Sequence, residues 1–496
     1  MSRPNILFFF TDQHRADTLG CYGAPVCRTP VLDRLAHDGV CFDAAYTPSA
    51  ICTPARASLL TGLWPHHHLL LANHERNVGY RTELDDAFEP FSRPLRAQGY
   101  RVGSVGKWHV GETKGPEDHG FEGTFYPGWG DPIDHPDYLA YLRQHGLPSF
   151  RVRHIIRGVL PNGQPGIPIG GVYEGPLEGT WSYFLAERTI ERLREYARHR
   201  RETGTPFFLS CHFFGPHLPY FLPEEYAHLY APDEVTLPKN TCETFDGKPR
   251  VQRNYCAHWG WDTLSEAQQR QLIAMYWGYV TLIDEQIGRV LDELDALGLS
   301  EETALFFAAD HGEFTGSHRL HDKGPAMYEE IYRVPLLGSV PGGARGVVRR
   351  EFVSLLDLTA TFVDLAGAPV PSHYDGRSLL PFLRGEDVPT WRQEITAEFH
   401  GHHFPYPQRM IRNDRYKLVV NPPDVNELYD LLTDPHELVN RIDDPALAHV
   451  RRDLARRLYR RLKESGDNFY HWMTTTMEVD ESAANASLSP MDSAAT

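Results

Sequence analysis

The apolar positions of this chain fall into runs of two kinds that alternate along its length. Ile6–Phe10 is five apolar residues in a row, too short for a helix and closed by polar groups, and predicts a strand buried on both faces. Pro30–Ala36 has helical spacing, with Thr29 ahead of it and Gly39 beyond it. Val40–Ala45 reads as the next strand. The rhythm continues with a helix opening near residue 52 and closed by Gly62, a helix near Pro90–Ala97 and a strand at Arg101–Val105. Further on come an amphipathic helix at Trp181–Arg198, a strand at Pro206–Phe214 and a long helix from Ser265 to about Leu297. Strands at Ala304–Ala309 and Pro335–Val340 precede a helix at Leu355–Ala366, ended by Gly367. Such alternation predicts an α/β fold, a large and mainly parallel sheet sandwiched by helices.

Two stretches break the pattern. Gly115–Gly179 and Leu218–Thr263 are rich in Gly, Pro, His and aromatics without clear periodicity, and read as long loops or insertions of the kind that carry function. From about Gln393 the runs become short strands (Glu394–Phe399, Gln408–Arg412, Tyr416–Asn421, Glu427–Leu431), followed by a basic helix at Leu447–Lys463. The expected organisation is therefore a catalytic α/β domain over 1–390, a smaller antiparallel α+β subdomain over 391–476, and a Ser/Ala-rich mobile tail over 477–496.

Composition changes this picture only at the edges. With 49 basic against 66 acidic residues the net charge is −17, which argues against a nucleic-acid or anionic-membrane partner and fits positive charge confined to a pocket. The seven cysteines are odd in number and widely spaced, without C-x-x-C, so neither a zinc framework nor a disulfide scaffold is expected. Reduced thiols, no membrane-length apolar stretch and an N-terminal apolar run too short for a signal-peptide core together predict a cytoplasmic protein.

In open α/β sheets ligands bind beyond the carboxyl ends of the strands. Here four strand ends carry chemistry: Thr11-Asp12-Gln13-His14, Gly106-Lys107-Trp108-His109, Gly215-Pro216-His217 and Asp310-His311-Gly312-Glu313. Cys52-Thr53-Pro54-Ala55-Arg56 opens the helix near residue 52. Thr53 is placed to cap that helix, Pro54 suits its first position, and free N–H groups there suit an oxyanion.

The segment around Cys52 resembles the C-x-P-x-R signature of type I sulfatases. The resemblance extends over most of the chain, weakening in the two insertions and returning at Glu427-Leu428-Tyr429-Asp430-Leu431 with Asp434-Pro435. It implies an alkaline-phosphatase-like fold and hydrolysis of a sulfate monoester, aryl or small carbohydrate. Cys52 would be converted to formylglycine by a formylglycine-generating enzyme, and its hydrate would be the nucleophile. Asp12, Gln13, Asp310 and His311, with residue 52 itself, match the metal ligands. Many sulfatases have Asp-Asp and Asp-Asn at these pairs, so Gln13 and His311 are substitutions that stay ligand-competent, with Ca²⁺ the first choice and Mn²⁺ or Mg²⁺ the reserve. Lys107, His109, His217 and Lys323 match the sulfate-binding and acid/base positions, and Arg56 would steady the hydrate.

The Asp-Gln and Asp-His pairs also resemble those of phosphonate monoester hydrolases on the same scaffold, so a phosphonate monoester or phosphodiester is the alternative substrate. A binding protein with an unconverted Cys52 is the third reading, and the intact metal and lysine positions speak against it. Relatives in this superfamily assemble as dimers or tetramers, so a homo-oligomer is an expected state. Outside these motifs, His66-His67-His68 reads as a solvated loop, the Arg451–Arg461 cluster as the solvated face of a helix, and His400, His402 and His403 as a surface loop able to reach the pocket.

Overall fold

The computed structural model describes residues 3–24, 26–74 and 78–479. Among them the main sheet has seven strands, in the order Val347–Arg349, Val40–Phe42, Leu336–Ser339, Thr303–Ala309, Asn5–Asp12, Phe207–Pro216 and Arg101–Gly106. Asn5–Asp12 is the centre. It pairs in parallel with Phe207–Pro216 on one side and Thr303–Ala309 on the other, and Arg101–Gly106 extends the parallel block. Leu336–Ser339 runs antiparallel to both of its neighbours, so the sheet is mixed at that side and mainly parallel where the site lies.

The unbroken apolar run follows from this position. Leu7 and Phe9 join the core on one face, with Trp181 and Phe184 of helix Trp181–Thr203 and Tyr276 and Ile283 of helix Glu266–Ala296. Ile6, Phe8 and Phe10 join the core on the other face, with Leu59 and Leu60 of helix Cys52–Thr61, Leu95 of Ser92–Ala97 and Phe362 of Leu355–Leu365. A strand covered by helices on both faces has no polar side to display.

Several expectations are corrected. The strand expected at Val40–Ala45 is two, Val40–Phe42 in the main sheet and Ala45–Tyr46 paired with Val353–Ser354. The two long stretches without periodicity are not loops throughout: Val152–Ile156, Gly170–Tyr173 and Tyr220–Pro223 form a three-stranded sheet, and Arg250–Trp259 is a helix. The expected tail from 477 begins too early, because Val479 packs into the C-terminal core; residues 480–496 lie outside the described residues.

The C-terminal sheet is antiparallel, in the order Ile395–Gly401, Pro405–Arg412, Tyr416–Val420 and Glu427–Asp430. Leu454, Leu458 and Leu462 of helix Ala448–Glu464 cover it. A buried lysine ties it to the rest of the fold: Lys417 Nζ lies 2.7 Å from Glu329 of the short helix Glu329–Tyr332, and also 2.7 Å from Glu437 of the C-terminal part itself. The supposedly solvated histidines belong to the same seam. The rings of His66 and His67 lie 4.2 Å apart, tilted at 58°, in the short helix Pro65–His68; His66 Nδ1 faces Glu398 and His67 Nδ1 faces Asp375 at 2.8 Å. Both Nε2 atoms meet the carbonyl of Ser465, at 3.1 and 2.6 Å, which caps the C-terminal end of helix Ala448–Glu464. Each ring thus has acceptors on both nitrogens, the pattern of an imidazolium at the negative end of a helix dipole. Arg457 and Arg461 are likewise not simply solvated, since both pair with Glu394.

Candidate active site

The strand ends converge as the sheet requires, and the signature helix closes the cluster from one side. Every residue of Cys52–Thr61 is buried, and Gly62 ends the helix at φ 72°, with its N–H on the Ser58 carbonyl. A side chain there would strike the ring of Tyr374. The N-terminal end differs from expectation. The helix begins at Cys52 itself, Ile51 is the cap residue and has no side-chain acceptor, and Pro54 is the third helical position. The acceptor comes from a distance instead: Asn73 Oδ1 takes the Thr53 N–H at 3.1 Å, so Thr53 is capped rather than capping.

Cys52 Sγ lies 3.2 Å from His311 Nε2 and 3.7 Å from Asp12 Oδ1. One donor atom from each of Asp12, Cys52, Asp310 and His311 falls within 4.8 Å of all the others. Four residues on from Cys52, and so on the same helix face, Arg56 spans the two carboxylates, with Nε 2.9 Å from Asp310 Oδ2 and Nη2 3.2 Å from Asp12 Oδ2. It is held there by the Lys107 carbonyl, His212 Nδ1 and the face of Phe10. Lys107 Nζ reaches Asp12 Oδ2 at 2.7 Å and the Trp129 carbonyl at 2.6 Å. Gly106 makes that approach possible: at φ 103°, a Cβ there would sit 2.0 Å from the His212 carbonyl.

The other lysine closes the opposite side. Lys323 Nζ donates to His217 Nε2 at 2.8 Å, to Gln13 Oε1 at 3.0 Å and to Asp322 Oδ1 at 3.1 Å. His109 is buried at φ 52°, edge-on to His74 at 5.1 Å, and its Nδ1 has no hydrogen-bond partner among the described residues. Gln13 and Asp322 also sit at positive φ, 64° and 66°. Backbone held in this region at three positions of one site is the strain that functional geometry stores.

Charge is distributed unevenly. Burial by itself would raise the Asp12 carboxyl, but the Lys107 ammonium and the Arg56 guanidinium hold it well below the usual range. Burial, then Lys323, pushes His217 far below the ordinary imidazole value, and burial, then Lys107, does the same to His109. Both are neutral rings. Burial opposes charge on His311 too, yet Asp310 and the Cys52 sulfur raise it to about 9. Burial and Asp322 push Glu313 up to about 8, although N–H groups point at both of its oxygens, the arrangement of an ionised acceptor.

Two buried carboxylates with donor oxygens within 4.8 Å of each other, with an imidazole and an amide oxygen nearby, suit a divalent cation with oxygen preference. All ten residues expected from the sequence, Asp12, Gln13, Cys52, Arg56, Lys107, His109, His217, Asp310, His311 and Lys323, fall in this one cluster. Four more were not assigned roles. His212, on a largely apolar strand, could have been noticed; Glu313 was read only as a polar group at its strand end, and Asn73 and Trp129 carry no spacing signal. Trp129 is 49% exposed, and its ring lies 5.6 Å from that of His217. Across the site, His402 and His403 from the C-terminal hairpin are within electrostatic reach of Asp322 and Lys323, stacked at 3.9 Å and backed by Tyr255.

Comparison with known proteins agrees with this geometry. The family model described as Sulfatase matches residues 4–368, and one described as N-sulphoglucosamine sulphohydrolase, C-terminal, matches 316–464. An uncharacterized sulfatase YidJ of Escherichia coli (strain K12) is 31% identical, over 95% of this chain and 90% of its own. The multifunctional alkaline phosphatase superfamily protein PehA of Trinickia caryophylli is 30% identical, over 96% of this chain and 98% of its own. The crystal structure of the phosphonate monoester hydrolase of Agrobacterium radiobacter superposes with a TM-score of 0.78 at 26% identity, covering 93% of this chain and 96% of that one.

Proposed function

The chain belongs to the sulfatase family, and from that premise we propose that it hydrolyses a compact sulfate monoester, aryl or small carbohydrate, at the cluster around Cys52. The observation that carries the reading is the position of Cys52. Its sulfur, at the first residue of a buried helix, faces Asp12 and His311, with Arg56 and Lys107 behind Asp12 and Lys323 opposite.

Asp12, Gln13, Asp310 and His311 would hold the divalent cation, Ca²⁺ before Mn²⁺ or Mg²⁺. With formylglycine at residue 52, these two groups together supply an acidified hydroxyl nucleophile and a site for the ester's negative charge. The chain's own residues do the rest. Lys107 and Lys323 bring two ammonium groups to the oxygens of the transferring group, where charge concentrates. Arg56 bridges Asp12 and Asp310 and balances their charge. His217, neutral, accepts from the Lys323 ammonium at Nε2 and keeps its Nδ1 on the Leu218 carbonyl, so it orients that ammonium, the proton source of the pair, for the leaving oxygen. His109, also neutral and with an Nδ1 that has no partner among the described residues, can accept the proton released when the product departs. Catalysis in this reading belongs to a domain spanning 1–390, with 391–476 as a subdomain that contributes the His402–His403 wall.

The Asp-Gln and Asp-His pairs, and the likeness to the phosphonate monoester hydrolase, support a second reading in which a phosphonate or phosphate diester is also cleaved. Parallel rates on a nitrophenyl sulfate and a nitrophenyl phosphonate monoester test both. A kcat/KM for the sulfate at or above that for the phosphonate supports the first; turnover of the phosphonate alone overturns it.

A further inference from the structure

The terminal amide of Gln13 has two unlike ends, and only its oxygen can bind a cation. Its Nε2 donates to the carboxylate of Glu313, while its Oε1 accepts from Lys323 Nζ at 3.0 Å. A reversed amide would set oxygen against carboxylate and N–H against ammonium, so both neighbours select one orientation. Glu313 is itself fixed. It has no exposed surface, its Oε1 accepts the backbone N–H of Thr315 at 3.1 Å and that of Asp322, and His321 Nδ1 stands 3.5 Å away. Thr315 and Asp322 lie at positive φ, 46° and 66°, where the loop wraps around this carboxylate.

We propose that Glu313 is a positioning residue, which fixes the Gln13 amide so that its oxygen, not its nitrogen, is presented to the cation. The inference rests on the reading of Asp12, Gln13, Asp310 and His311 as a cation site. The same carboxylate ties the strand end at Gln13 to the loop that delivers Asp322 and Lys323.

The test is a calorimetric titration of chelator-treated protein with CaCl₂, made as a double-mutant cycle of Glu313→Gln and Gln13→Asp. Alone, Glu313→Gln weakens Ca²⁺ binding about 10- to 100-fold, the usual cost of losing a group behind a ligand. In the Gln13→Asp background, where both ligand oxygens are equivalent and need no orientation, the same change costs less than about threefold. Loss of charge or of loop structure weakens both backgrounds equally, and that result overturns the proposal, as does unchanged affinity in Glu313→Gln. If Glu313→Gln does not fold, Glu313→Asp, which withdraws the carboxylate by one methylene, is read in the same cycle by the same criteria. A wild-type protein that takes up no Ca²⁺, Mg²⁺ or Mn²⁺ refutes the cation site itself, and the positioning role with it.

Discussion

Lys323 Nζ donates to His217 Nε2 across 2.8 Å, with both groups buried, so the ammonium and the imidazole form one proton-holding unit. Burial disfavours charge on Lys323, but Asp322 and the Cys52 sulfur raise its pKa, while His217 stays neutral. A unit that supplies a proton matters most when the leaving group is a poor one. Lys323→Ala is therefore expected to lower kcat/KM on an alkyl sulfate by about 10²–10⁴-fold, and on a nitrophenyl sulfate by clearly less. Equal losses on both substrates would show that Lys323 serves binding alone.

Removal of divalent ions is expected to inactivate the enzyme. Asp12→Ala and Asp310→Ala each delete a buried anionic donor, and each should lower bound metal as well as rate. Metal analysis of the purified, active protein checks this; activity without a stoichiometric divalent ion contradicts it.

The adjacent His66–His67 pair gives the seam of the C-terminal sheet a dependence on pH. Burial opposes charge on His66, but Glu398 raises its pKa; for His67 the hydrogen bond to Asp375 raises it above the opposing burial. With folded values above the ordinary imidazole value of 6.5, the stabilisation is complete below pH 6.5 and is lost as pH rises through the folded values. The melting temperature of the wild type should fall more between pH 6 and 9 than that of a His66→Gln/His67→Gln variant. Parallel curves would dismiss the pair as a titrating contact.

The walls of the site bear on substrate size. Trp129 on one side and His402, His403 and Tyr255 on the other offer rings rather than cations, and each extra sulfate of a polyanion calls for a cation of its own. Weak inhibition by a polysulfated glycan is expected in a competition assay. Tight inhibition that salt relieves steeply would mean a basic groove instead.

What the sequence revealed and what it hid have physical causes. The run Ile6–Phe10 could be read as a central strand because burial on both faces leaves it no polar position, and from that strand the four polar strand ends followed. The sheet of Val152–Ile156, Gly170–Tyr173 and Tyr220–Pro223 could not be read, because its strands are short and come from two distant segments. His66 looked solvated because its partners, Glu398 and Ser465, lie more than 300 residues away. Thr53 looked like a cap by local rules, whereas Asn73, twenty residues on, holds its N–H. The role of Glu313 appears only when the Gln13 amide has a direction in space.

The account rests finally on the chemistry of residue 52, and the mass of the peptide spanning Cys52 in catalytically active enzyme tests it most directly. The expected peptide carries an aldehyde in place of the thiol, in a fraction that tracks specific activity from one preparation to another. Full activity on a sulfate ester from protein whose residue 52 is entirely unmodified cysteine would contradict it.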